Sequence, residues 1–265
     1  MAAQPPVQAP PPAPSPQPDL KLDGKILTIL EHLQELRYRL MVCAGALIFG
    51  VSVSFYPLSQ IFIRFLEQPA KDRVENFELV FTEPLEFWTS YFKVSLLLGL
   101  AIAMPVIVYQ LLAFVGPGLT KEERRWFYPI VAGASLSFVG GVAFAYYVEL
   151  PPALGFLLNP PGDIGEPIIS VSKYFDFVTR LLLVTGLVFE LPLIVMGFAK
   201  IGIVTSRQLL SWWRYAIILA FVAAAIVTPS VDPVTQSLVA GPIIVLYVVG
   251  MGLARLVEGT PLIQR

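Results

Sequence analysis

YFKVSLLLGLAIAMPVIVYQLLAFV (residues 91–115), GPGLTKEERR (116–125) and WFYPIVAGASLSFVGGVAFAYYV (126–148) follow one another directly in the chain. Each apolar run exceeds the roughly 20 residues that a helix needs to cross a bilayer. The link between them is short, and Lys121-Glu122-Glu123-Arg124-Arg125 makes it heavily charged. A connection of that length forces the two helices to be antiparallel neighbours and pins the charged link at one membrane surface. The chain therefore reads as a polytopic, all-α membrane protein. A functional group on the link can meet whatever arrives from that side.

Composition agrees with this reading. Hydrophobic residues make up 56% and charged residues 14% of 265, against about 25% charged in soluble domains. Mean hydropathy is +0.72. Cys43 is the single cysteine and His32 the single histidine, so an intrachain disulfide is excluded and His32 cannot build a metal site alone. The first apolar run begins near Leu40, after a long polar lead, and no cleavable signal peptide is expected.

Working outward, residues 1–20 are rich in proline and bury nothing, which predicts a disordered or polyproline tail. The expected division is a Pro-rich cytoplasmic tail over 1–27, a six-span domain over 28–258 and a short cytoplasmic tail over 259–265. Thr28-Ile29-Leu30-Glu31 fits a capping box, so helix is expected from Thr28. Leu30, Leu33, Leu36 and Leu40 share its apolar face. The six spans are read as Leu40–Tyr56, Tyr91–Val115, Trp126–Val148, Tyr174–Phe198, Trp212–Val227 and Val234–Leu253. Pro105, Pro192 and Pro242 lie inside spans two, four and six, where each removes an intrahelical bond and should bend its helix. Span five, about 24 Å long at 1.5 Å per residue, is short against a hydrocarbon core of about 30 Å. A curved, cupped arrangement is expected, not a straight bundle.

The loops carry further signals. Leu58, Ile61, Phe62, Phe65 and Leu66 recur at helical spacing and predict a short helix that lies on the membrane or caps the bundle. Phe77 to Phe81 alternates weakly, Thr82-Glu83-Pro84 reads as the start of helix two, and Pro151 to Ser172 reads as a Pro- and Gly-rich loop. With the N-terminus inside, twelve of the eighteen lysines and arginines fall on the inner side and eleven of the nineteen acids on the outer. The positive-inside rule then places both termini in the cytoplasm.

Soluble-enzyme motifs are missing. There is no Gly-rich loop ending in Gly-Lys-Ser/Thr and no Gly-x-Ser-x-Gly elbow, so no enzyme activity, cofactor or nucleic-acid partner is expected. Three acids remain. Glu190 lies in the apolar stretch Leu181 to Met196, where an ionisable group costs about 2.5–3.5 kcal/mol and normally faces protein, water or a polar partner. It is either functional or hydrogen-bonded to a neighbouring span, for instance at Gln110 or Tyr109. Glu35 precedes Arg39 by four residues, the favourable order for a helical ion pair. Glu123 follows Thr120 by three, the spacing of a capping box. By spacing alone, these two structural readings stand ahead of functional ones.

The stretch from about Leu27 to Glu258 resembles the twin-arginine translocase C subunit family, TatC. The resemblance is carried by His32-Leu33-Gln34-Glu35-Leu36-Arg37-Tyr38-Arg39-Leu40, Thr82-Glu83-Pro84-Leu85-Glu86-Phe87, Lys93-Val94-Ser95 and Met104-Pro105-Val106-Ile107-Val108-Tyr109-Gln110. Further matches are Ala113-Phe114-Val115-Gly116-Pro117-Gly118-Leu119 with Glu123-Arg124, Gly141 to Tyr146, Phe189-Glu190-Leu191-Pro192, and Thr228-Pro229-Ser230 with Asp232-Pro233 and Gln236. Leu246-Tyr247-Val248 departs from the family's Leu-Tyr-Glu.

The resemblance implies a receptor for folded proteins whose signal peptides carry consecutive arginines, driven by the proton-motive force without nucleotide. It implies signal-peptide contacts at Glu35 and Glu123, with Arg37 and Phe114 nearby, and reverses the ranking of the two acids. It also implies a concave face bearing Glu190 and Gln110 toward the single-span TatA and TatB partners. The expected setting is a multimeric complex among the lipids of the bacterial cytoplasmic membrane. A secondary transporter for a small solute is the alternative, since kinked helices and one buried acid fit it, but a midplane set of polar ligands is missing. An intramembrane enzyme lacks a nucleophile with a base.

Overall fold

The computed structural model describes residues 20–56, 58–73, 77–115, 127–158, 169–200, 202–228 and 232–258. Its elements are α1 (Leu20–Phe55), α2 (Leu58–Lys71), β1 (Leu79–Val80) and α3 (Glu86–Val115). They continue with α4 (Phe127–Phe144), a π-helical turn (Ala145–Glu149), α5 (Leu150–Leu158) and β2 (Ile169–Ser170). The last are α6 (Val171–Val188), α7 (Leu191–Lys200), α8 (Ser206–Ser211), α9 (Trp213–Val227) and α10 (Pro233–Glu258). Five helical stretches are long and apolar enough to cross a membrane, and Trp213–Val227 is a shorter apolar helix. These are the six spans, with span five the short one. Large apolar side chains such as Ile48, Phe49, Leu136, Ile218 and Leu219 lie exposed along them, as lipid-facing surfaces require.

Two sequence expectations need correction. Helix α1 starts at Leu20, so the Thr28–Glu31 box lies inside the helix and does not open it. Once a helix is nucleated, each added residue gains a bond, and Leu20-Lys21-Leu22 are good helix formers. Helix also continues beyond Val148 to Leu158, so the first part of the expected 151–172 loop is helical. The backbone N–H of Leu150 reaches back to the carbonyl of Ala145, the five-residue step of a π turn. Pro151 and Pro152 then fall in the first turn of α5, where proline's missing N–H is tolerated. Helices α3 and α10 run without a break through Pro105 and Pro242. Only Pro192 coincides with a break. It cannot donate to Val188, the Glu190 N–H bonds Leu187 O at 3.1 Å, and regular helix resumes with the Ile194 N–H on Glu190 O at 2.9 Å.

Packing makes an open, curved wall. Helix α1 lies along α3, α3 touches α4 and α6, α4 packs on α6, and α10 joins α7 to α9. Small residues set the close approaches, as membrane helices require where no hydrophobic effect pulls them together. A Cβ on Gly50 of α1 would stand 2.4 Å from the carbonyl oxygen of Gly99 on α3. One on Gly141 of α4 would stand 2.9 Å from the Cα of Gly186 on α6.

Helix α2 caps one end of the wall, as its apolar spacing predicts. Leu66 and Ala70 are fully buried beneath it. The hydroxyls of Tyr146 and Tyr174 donate to the carbonyls of Phe65 (2.8 Å) and Leu66 (2.6 Å). Ser54 donates to Ser95 O at 2.9 Å, and the Ser59 and Ser95 hydroxyls pair at 2.7 Å, joining α1, α2 and α3. The weak alternation over Phe77–Phe81 resolves as β1, which pairs in parallel with β2. Beside it the Glu86 carboxylate accepts from the Thr82 backbone N–H (3.0 Å), the Thr82 hydroxyl and the Ser170 hydroxyl (2.8 Å). Lys93 and Asp176 tie α3 to α6.

Candidate functional site

At the opposite end of the α1–α3 pair, the entry of α1 lies beside the last turns of α3. Helical spacing puts His32, Glu35 and Arg39 on one face, since residues three and four apart are neighbours. The Arg39 guanidinium turns back on Glu35, with Nε 3.0 Å and Nη2 2.5 Å from Oε1. Its Nη1 donates to Gln110 Oε1 on α3 at 3.0 Å. The His32 ring stacks on Phe114 with centroids 4.4 Å apart and planes at 19°. His32 Nδ1 lies 3.8 Å from the other Glu35 oxygen, Oε2. That oxygen takes no hydrogen bond among the described residues. The Glu35 side chain is 35% exposed and that of Arg39 21%, so the cluster is open to an approaching group.

Sequence spacing anticipated the Glu35–Arg39 pair, and the structure contains it. What spacing could not show is that Gln110 and Phe114, over seventy residues downstream, complete the same cluster. Gln110 thus joins Glu35 through Arg39, while among the described residues no hydrogen bond links Gln110 or Tyr109 to Glu190. Arg37 is exposed on the same helix. Glu123 lies outside the described residues.

Glu190 is buried, 7% exposed, at the α6–α7 break, and its Oε1 has no hydrogen-bond partner among the described residues. The Ser137 hydroxyl holds the break against α4 by donating to Phe189 O at 2.8 Å. A second buried acid escaped the sequence reading. Glu149, 1% exposed, closes the π turn and accepts from the Thr185 hydroxyl at 2.7 Å through Oε2. It lies just past the expected end of span three. The apolar residues after Pro152 (Ala153 to Leu158) were the signal that the helix ran on and carried this acid inside.

Fold and cluster together define a six-span, all-helical membrane protein with a guanidinium-holding carboxylate at one end of its wall. Residues 31–242 match the family described as Sec-independent protein translocase protein (TatC). The chain is 40% identical to the TatC protein of Synechocystis sp. over 88% of its own length and 90% of that protein's. It is 38% identical to the Aquifex aeolicus TatC over 87% and 95%. It is also 44% identical to the chloroplastic TATC of Arabidopsis thaliana, over 88% of this chain and 68% of the other. A solved structure, described as the crystal structure of the twin-arginine translocase receptor TatC, superposes with a TM-score of 0.78 at 37% identity. That match covers 85% of this chain and 99% of the other.

The chain belongs to the TatC family and is a multi-pass membrane component of a Sec-independent protein translocase. The small-solute transporter reading is thereby set aside.

Proposed function

We propose that this protein is the receptor and core subunit of a twin-arginine translocation complex, and that Glu35 receives an arginine of the signal peptide. One observation carries the assignment: the Glu35 carboxylate already holds a guanidinium through two N–H groups and remains partly exposed. A planar guanidinium matches a carboxylate in a way that an ammonium does not. Glu123 supplies the second carboxylate from the link after α3. Phe114 and Arg37 flank the site, Phe114 already pressed against His32. The "receptor" in the description of the matched crystal structure supports the same reading.

The remaining roles follow from this one. The buried Glu190, with one oxygen unpaired among the described residues at a helix break, gives the concave face a polar contact for the single-span TatA and TatB subunits. Gln110 borders the peptide site through its hydrogen bond from Arg39. Both termini lie in the cytoplasm of a bacterial cell, and the proton-motive force drives export of folded cargo.

The test compares twin-arginine and twin-lysine signal peptides on purified, folded variants. A hydrogen bond to a charged group contributes about 1.5–3 kcal/mol, so Glu35→Ala and Glu123→Ala should each weaken the twin-arginine peptide by about ten- to a hundredfold. Loss of the arginine preference should accompany the loss of affinity. Unchanged affinity and preference in both variants would remove the carboxylates from the site.

A further inference from the structure

We propose that Arg39 is a built-in occupant of the arginine site, an autoinhibitory guanidinium that every incoming basic segment must displace from Glu35. The inference rests on the reading of Glu35 as an arginine contact. Three N–H groups of Arg39 are used on two acceptors, Glu35 Oε1 and Gln110 Oε1. These are the contacts that a ligand guanidinium would make, supplied from within the chain. Because the pair is partly exposed, it is exchangeable: exposed ion pairs contribute little net stability. Gln110 adds a second anchor from another helix, so the resting position of Arg39 is set by tertiary structure and not by helix spacing alone.

The consequence is quantitative. A ligand that binds only the vacated carboxylate has its affinity lowered by the fraction of molecules in which Arg39 has swung away. That factor is the same for an arginine and for a lysine ligand. Arg39 therefore leaves the arginine-to-lysine ratio alone and sets the absolute threshold. Peptides with matched guanidinium geometry clear it, and generic basic segments do not.

The experiment titrates full-length protein in detergent with the twin-arginine peptide and its twin-lysine counterpart. In Arg39→Gln both peptides should bind about three- to tenfold tighter, with the ratio between them unchanged. Gln110→Leu, which loosens the second anchor, should tighten both by about twofold and serves if Arg39→Gln does not fold. A folded Arg39→Gln whose twin-arginine affinity is unchanged or weaker overturns the occupancy, provided that Glu35→Gln still loses binding. If Glu35→Gln binds as wild type does, the arginine site itself is wrong and the occupancy falls with it.

Discussion

At the α2 end, Glu86 is 5% exposed and both of its carboxylate oxygens accept hydrogen bonds, from Thr82 and Ser170. At the α1-entry end, Glu35 has one oxygen without a hydrogen bond among the described residues and gives the other to the Arg39 side chain alone among them. The same two helices, α1 and α3, carry both ends. One is closed by short contacts among Ser54, Ser59 and Ser95 under a capping helix. The other is left open, with a charge pair where the first has buried hydroxyls. A carboxylate whose two oxygens both accept from its own chain is a structural joint. One that holds an exchangeable cation at the rim can trade it for another. The comparison teaches that an acid's partners, more than its position in a motif, decide which role it has.

The sharpest way to break the comparison is topological, because the effect is all or none. With Cys43 replaced by Ala, single cysteines at Lys25 and Glu123 should be protected from an impermeant reagent added outside intact cells. One at Asp72, just beyond α2, should label. Labelling at position 123 would put the open end on the wrong side for a cytoplasmic ligand.

The next effect is on folding. Gly50→Leu drives a side chain into the Gly99 carbonyl, which a Cβ alone would approach to 2.4 Å. Overpacking of this kind costs about 1–3 kcal/mol, so Tm in detergent should fall by several degrees and the yield of folded protein with it. An unchanged Tm would mean that the α1–α3 joint gives way easily, and that the two ends are not held by one rigid pair.

A smaller effect sharpens the contrast. Glu86→Gln sets an amide NH2 against donors that need an acceptor, at a cost of about 1–2 kcal/mol. Thermal stability should drop while signal-peptide affinity per folded molecule stays at the wild-type value. A loss of affinity without a loss of stability would move function to the capped end.

Apolar run length and the charge of the links determined, by themselves, that this chain crosses a membrane as helices, how many times it does so, and that α2 is a separate amphipathic element. These follow from the sequence because the bilayer imposes its thickness on every span and tolerates no unpaired backbone. The Glu35–Arg39 pair was legible for the same kind of reason, since it depends only on local helical spacing. Tertiary structure alone decided that Pro192 breaks its helix while Pro105 and Pro242 do not, that Glu149 is drawn inside by a π turn, that Gln110 meets Arg39 and that Phe114 meets His32. Each of those outcomes depends on which helix lies alongside and how closely its glycines let it approach, and those contacts join residues tens of positions apart that no local pattern connects.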